Sequence, residues 1–115
     1  MPRVTLTRSN SPGPNPTAGV AVTMTAADTV NKEQFALTGR EILIIHNTGA
    51  SSRTYTITSV ADPFGRLGDI TAQTIAAGAI HTVGPFGLAG WQQTGGYLYI
   101  EANNAEVKFG VIALP

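Results

Sequence analysis

Glu41-Ile42-Leu43-Ile44-Ile45-His46-Asn47, the turn Asn47-Thr48-Gly49-Ala50-Ser51-Ser52, and then Arg53-Thr54-Tyr55-Thr56-Ile57-Thr58-Ser59-Val60 form the stretch whose reading decides the fold class. The last segment alternates polar and apolar residues strictly, and a period of two marks a half-buried strand. The first segment is the most hydrophobic in the chain, and its consecutive isoleucines and leucine predict a strand buried on both faces. With a glycine-containing turn between them, the two segments read as a β-hairpin.

The same pattern extends outward in both directions. Val20–Thr25 alternates, Glu33–Thr38 ends at Gly39, and Ile70–Ala76 and Ile80–Val83 stand either side of Ala77-Gly78. Tyr97–Ala102 and Val107–Leu114 read as a closing hairpin across Asn103-Asn104. Two long loops, Asp62–Asp69 and Gly84–Trp91, are rich in glycine and carry proline. Only Thr25–Val30 has room for a helical turn, and no sequence repeat is visible. Eight short strands at this spacing predict an all-β fold, a β-sandwich of jelly-roll or immunoglobulin-like type with antiparallel strands, over residues 19–115. Residues 1–18 differ. Pro12, Pro14 and Pro16 alternate with small or polar residues, fix φ and push their predecessors towards extended backbone, so this segment reads as an extended N-terminal arm.

Composition narrows the function classes. Seven basic residues balance seven acidic ones, so the chain lacks the basic face that nucleic acid requires and the polybasic segment that an anionic membrane attracts. Neutral polar surface is cheaper to bury than ionic surface, which suits an assembly component. Without cysteine there is no disulfide and no thiolate metal site. The start of the chain has no apolar core of signal-peptide length, and Ile42–Ile45 is far too short to span a bilayer, so the expectation is a protein that stays where it is translated.

His46 and His81 lack metal-ligand spacing, and a zinc site would need these distant residues to meet beside a carboxylate. There is no nucleophile elbow and no phosphate loop, so the reading is non-enzymatic, with no cofactor. Asp62 and Asp69 flank Arg66. They can be read as a sparse Ca²⁺ loop or, more simply, as loop-holding caps paired with the arginine. Trp91, Tyr97 and Tyr99, with Gln92, Gln93 and Asn103, form a candidate carbohydrate platform, Tyr97 and Tyr99 sharing one strand face.

The order Gly39-Arg40-Glu41-Ile42-Leu43, Asn47-Thr48-Gly49, Asp62-Pro63-Phe64-Gly65-Arg66-Leu67-Gly68-Asp69, Gly84-Pro85-Phe86, Gly90-Trp91 and Val107-Lys108-Phe109 resembles small β-sandwich virion-structural proteins of tailed bacteriophages. The resemblance covers roughly residues 33–115. It implies a capsid decoration, or cement, protein on the virion surface, made in the host cytoplasm, with the major capsid protein and copies of itself, as a homotrimer, for partners. It carries over no catalytic residue. Because loops and arms carry recognition, the expected partner-binding residues are Pro12, Pro14, Pro16, Phe64, Arg66, Phe86 and Trp91. Two other functions stay open: a carbohydrate- or receptor-binding module using Trp91, Tyr97 and Tyr99, and a tail-tube or head–tail connector component.

Overall fold

The aliphatic run forms strand β5 (Glu41–Asn47), flanked by β10 (Val107–Ala113) and β8 (Ile80–Val83), both antiparallel to it. A computed structural model describes residues 3–114. Met1 and Pro2 of the arm and Pro115 of the domain lie outside the described residues. Along β5, Glu41, Leu43, Ile45 and Asn47 are buried, while Ile42, Ile44 and His46 are half-buried. The expectation of burial on both faces is therefore corrected to one core face and one partly covered face.

Two mixed five-stranded sheets enclose one core. In the first, β1 (Val4–Thr5), β4 (Glu33–Ala36), β9 (Tyr97–Ala102), β6 (Arg53–Thr58) and β7 (Ile70–Ile75) lie in that order. In the second, β2 (Arg8–Asn10), β10, β5 and β8 follow one another, and β3 (Thr25–Ala26) also pairs with β10. Phe35, Tyr55, Ile57, Leu98 and Ile100 from the first sheet meet Leu43, Ile45, Val107, Phe109 and Val111 from the second in a single buried cluster. Period-two alternation on each strand aims these residues inward.

Both hairpins read from the sequence are corrected. β5 and β6 belong to different sheets, and so do β9 and β10. Their short turns carry the chain across the roughly 10 Å between layers instead of folding it back beside itself. Asn47 makes the first crossing specific. Its side-chain amide donates to the carbonyls of Ser51 (2.8 Å) and Ile75 (3.1 Å), and its oxygen accepts from Gly49 N–H (3.0 Å). Ile75 lies in the opposite sheet, so the turn is pinned to the layer it is entering. Among the described residues the one true hairpin is β6–β7, closed by the long 59–69 loop.

The N-terminal segment is extended through β1 and β2, where it does not stand clear of the domain, and the proline-rich stretch after it bends at Pro14–Asn15 and Thr17–Ala18. β1 runs parallel to β4 in one sheet, and β2 runs parallel to β10 in the other. Leu6, between them, is buried in the shared core. Arg8 donates to the carboxylate of the fully buried Glu41 at 2.8 Å. Burial pushes the Glu41 carboxyl upward, but the Thr38 hydroxyl and amide, Arg8 and the Arg40 amide together hold it below the ordinary value. Residues 11–24 then leave the edge of the second sheet and return to it at β3. The strand expected over Val20–Thr25 is reduced to a two-residue ladder, because Val22 and Met24 lie across Gly110 of β10 rather than alongside it. A Cβ at Gly110 would come within 2.8 Å of Val22 Cγ1.

Replacing Leu6 by Ala empties a core position and should cost about 2–5 kcal/mol, read as a lower urea midpoint with an unchanged slope. An unaffected midpoint would mean that residues 3–10 do not belong to the cooperative unit.

Candidate functional site: a loop-built end

Three segments meet at one end of the molecule. Asn10, where the proline-rich stretch leaves its sheet, is in register with Ala113, and Ala113 with Glu41. The Glu41 carbonyl would lie 2.8 Å from a Cβ on Gly84, so the 84–96 loop begins beside it. The 59–69 loop joins that group through Val60 N–H, which donates to Gly90 O at 2.9 Å.

The 59–69 loop is built around its two carboxylates. Asp62 accepts from the backbone N–H of Phe64 and of Arg66 and from the Arg66 guanidinium, each at 2.9 Å. Asp69 accepts from the Ser59 amide (2.7 Å) and hydroxyl (2.6 Å), and the Ser59 oxygen accepts from Gly68 N–H. The Arg66 amide holds the Asp62 carboxyl below the ordinary range, and the Ser59 hydroxyl does the same for Asp69. Both carboxylates are thus occupied by the loop's own donors, as the capping reading has it. Among the described residues no group of three His, Cys, Asp or Glu side chains is placed to hold a metal ion.

This scaffold presents apolar side chains to solvent. Phe64 is 81 % exposed and Leu67 67 % exposed, and the Arg66 guanidinium stands 5.3 Å from the Phe64 ring centroid. Leu88, in the one-turn helix α1 (Leu88–Trp91), is also exposed. Trp91 is half-buried and meets Phe86 edge to face at 5.3 Å. A cleft of about 210 Å³ lies between the loops, with Trp91, Val60, Leu67, Asp62 and Arg66 among its walls. Pro12, Pro14 and Pro16 are exposed on the neighbouring stretch.

Of the expected partner residues, Phe86 is placed elsewhere: at 4 % exposure it belongs to the core and offers no surface. Gly84 turns the chain there at φ +118°, a conformation glycine adopts without penalty. Tyr97 and Tyr99 are half-buried on β9, but the Arg3 guanidinium covers the Tyr99 ring at 4.1 Å. Among the described residues no ring contact joins Trp91 to either tyrosine. Gln92 donates to Leu37 O (2.9 Å), Gln93 to Thr58 O (3.1 Å), and the Asn103 oxygen accepts from Thr54 N–H. These groups hold loops in place.

The two histidines occupy adjacent strands but opposite faces. His46 lies opposite Ile80, and His81 lies opposite the buried Ile45. His81 therefore points inward, where its Nδ1 hydrogen-bonds the Tyr55 hydroxyl of the facing sheet at 2.9 Å. Burial pushes the Tyr55 hydroxyl upward, keeping it protonated. Exposed Leu67 and Leu88 were not singled out from the sequence, where a leucine in a loop looks the same whether it points in or out.

Comparison with known proteins finds no matching family model, no matching curated protein and no matching solved structure.

Asp62→Ala should leave the global fold in place while hydrogen exchange at the Phe64 and Arg66 amides accelerates at least tenfold; unchanged exchange would show that the carboxylate does not order the loop. Gly84→Ala puts a Cβ against a backbone carbonyl at positive φ and should destabilise by about 2–4 kcal/mol, measured by chemical denaturation.

Proposed function

We propose that this chain is a structural assembly protein, a capsid decoration protein of a tailed-bacteriophage virion, whose loop-built end docks on the major capsid protein while copies of the chain associate as a homotrimer. The observation that carries this reading is the exposed apolar group Phe64 and Leu67, displayed on a loop that its own carboxylates make rigid. Solvent-exposed apolar side chains on a preorganised loop suit an anchor that inserts into a partner, because little ordering entropy is lost on binding. Pro12, Pro14 and Pro16 add exposed surface on the stretch that leaves β2, and Arg66 and the rim of Trp91 supply polar and aromatic surface. The sparse, balanced charge lowers the cost of desolvating this end.

The strand order supports a finer description of the fold. β3-β10-β5-β8 and β4-β9-β6-β7, antiparallel throughout, is the order of a jelly roll, with every connection except β6–β7 crossing between sheets. On that reading β1 and β2 are parallel additions at the edges of an eight-strand sandwich. Jelly rolls occur in viral capsid proteins and in lectins, so the architecture is compatible with decoration and decides nothing alone. The carbohydrate-binding alternative has less support, given the covered Tyr99 ring and the internally bonded glutamines. A tail-tube or connector ring would use the same neutral surface with a different subunit number.

Light scattering on the purified protein should give about 36 kDa, three times the 12.0 kDa chain. Phe64→Ser with Leu67→Ser should weaken co-sedimentation with tailed-phage head shells at least tenfold at unchanged melting temperature. Larger closed rings would favour the connector, whereas a monomer with undiminished co-sedimentation of the double variant would remove the proposal.

A further inference from the structure

Two glutamates are completely buried, and the chain treats them in opposite ways. Glu41 and Glu33 are each 0 % exposed. Glu41 has four donors, one of them the charged Arg8. Glu33 has one, the backbone N–H of Asp28, which bonds to Oε2. Its Oε1 is buried with no partner, and the other buried acceptor in that condition among the described residues is Asn31 Oδ1, two residues earlier in the turn that leads into β4. A buried carboxylate oxygen without a donor costs free energy that a proton on it removes.

The surrounding charges do not supply what is missing. Lys32 is committed to Glu101 at 2.6 Å. Arg3 donates to the carbonyls of Glu33 (3.1 Å) and Ile100 (3.4 Å) and lies over the Tyr99 ring, so it reaches the backbone of Glu33 and not its carboxylate. Asp28 sits beside Glu33 with its own carboxylate occupied by the Val30 and Asn31 amides and the Asn31 side chain. The position of Glu33 also matters. Val4 N–H donates to Lys32 O and Leu6 N–H to Gln34 O, so β1 is fastened to the two residues that flank it.

We infer that Glu33 is a buried acid whose protonated form the fold favours, and that its ionisation loosens β1 from the edge of the first sheet. Protonated, one carboxyl oxygen becomes a donor and the turn around Asn31 and Asp28 closes without a bare charge. Ionised, the carboxylate must gain a donor or water, and β1 is a two-residue edge strand that can give way to admit it. Burial moves Glu33 upward, the Asp28 amide opposes this, the Asp28 and Glu101 charges add to it, and Arg3 alone among the nearby charges works against it; the net direction is upward. The sign follows. The stability contributed by Glu33 is fully present below the ordinary value of 4.5 and is lost as pH rises through its folded-state value. Glu41 behaves in the reverse sense, contributing above its ordinary value and losing that contribution as pH falls.

The test is a carbon-detected NMR titration of the Glu33 carboxyl in the intact chain, with protection factors for the Val4 and Leu6 amides measured alongside. The expected result is a midpoint above 4.5 and a fall in both protection factors of at least tenfold across that midpoint. Glu33→Gln supplies a permanent N–H donor in the same shape, and it should abolish the pH dependence of the two amides. A midpoint at or below 4.5 overturns the inference. So does a Glu33→Gln protein whose Val4 and Leu6 protection keeps the wild-type pH dependence; if that variant does not fold, the wild-type titration decides.

Discussion

Strand β10 has to satisfy backbone hydrogen-bonding groups along both edges, and the rest of the fold is arranged around that demand. One edge is filled over its whole length by β5, from Val107↔Asn47 to Ala113↔Glu41. The other is shared between β2, parallel over Val111–Ala113, and β3, antiparallel over Lys108–Phe109. The two short strands run in opposite directions, so the chain between them must leave the sheet and come back. Gly110 lies where one ladder hands over to the other, and its missing side chain leaves room for Val22 and Met24. The exposed proline-rich stretch is thus the connection that lets one edge of β10 be covered by two segments.

Strand positions were legible in the sequence because they are local. Thr54–Thr58 alternates polar and apolar residues at every step, and burial follows the same alternation. Partners were not legible. Asn47–Ser52 has the residues of a hairpin turn, yet the same polar, glycine-containing composition serves equally to cross between layers. What decides is that the Asn47 amide reaches Ile75 in the opposite sheet, 28 positions along the chain, and no window of sequence displays that. β1 and β2 escaped detection for a related reason. Two- and three-residue parallel ladders have no periodicity to read, and Leu6 is the one buried residue between them.

The candidate site divides along the same line. The loop chemistry around Asp62, Arg66 and Asp69 was readable because Asp–Pro and Asp–Arg pairs four residues apart act locally. The fate of Phe64 and Phe86 was not: both follow proline in a glycine-rich loop, and one faces solvent while the other packs against Trp91. Tyr99 looked available until Arg3, 96 residues earlier, was found across its face. The most informative residue for chemistry, Glu33, carries no motif at all. Its character comes from the donors it lacks, and a count of donors requires the folded neighbourhood.

The excursion between Ser11 and Thr25 has one more consequence. Its backbone from Pro12 to Gly19 is mostly exposed and lies outside both sheets, while each of its ends is fastened to the same strand. A protease that nicked this stretch would sever the covalent link without removing any ladder. The first eleven residues would then be a peptide ligand and the remainder its receptor, joined by two parallel ladders, the Leu6 contact and the Arg8–Glu41 pair. What is a folding free energy in the intact chain would become a binding equilibrium, sensitive to dilution and open to competition by any peptide of the same sequence.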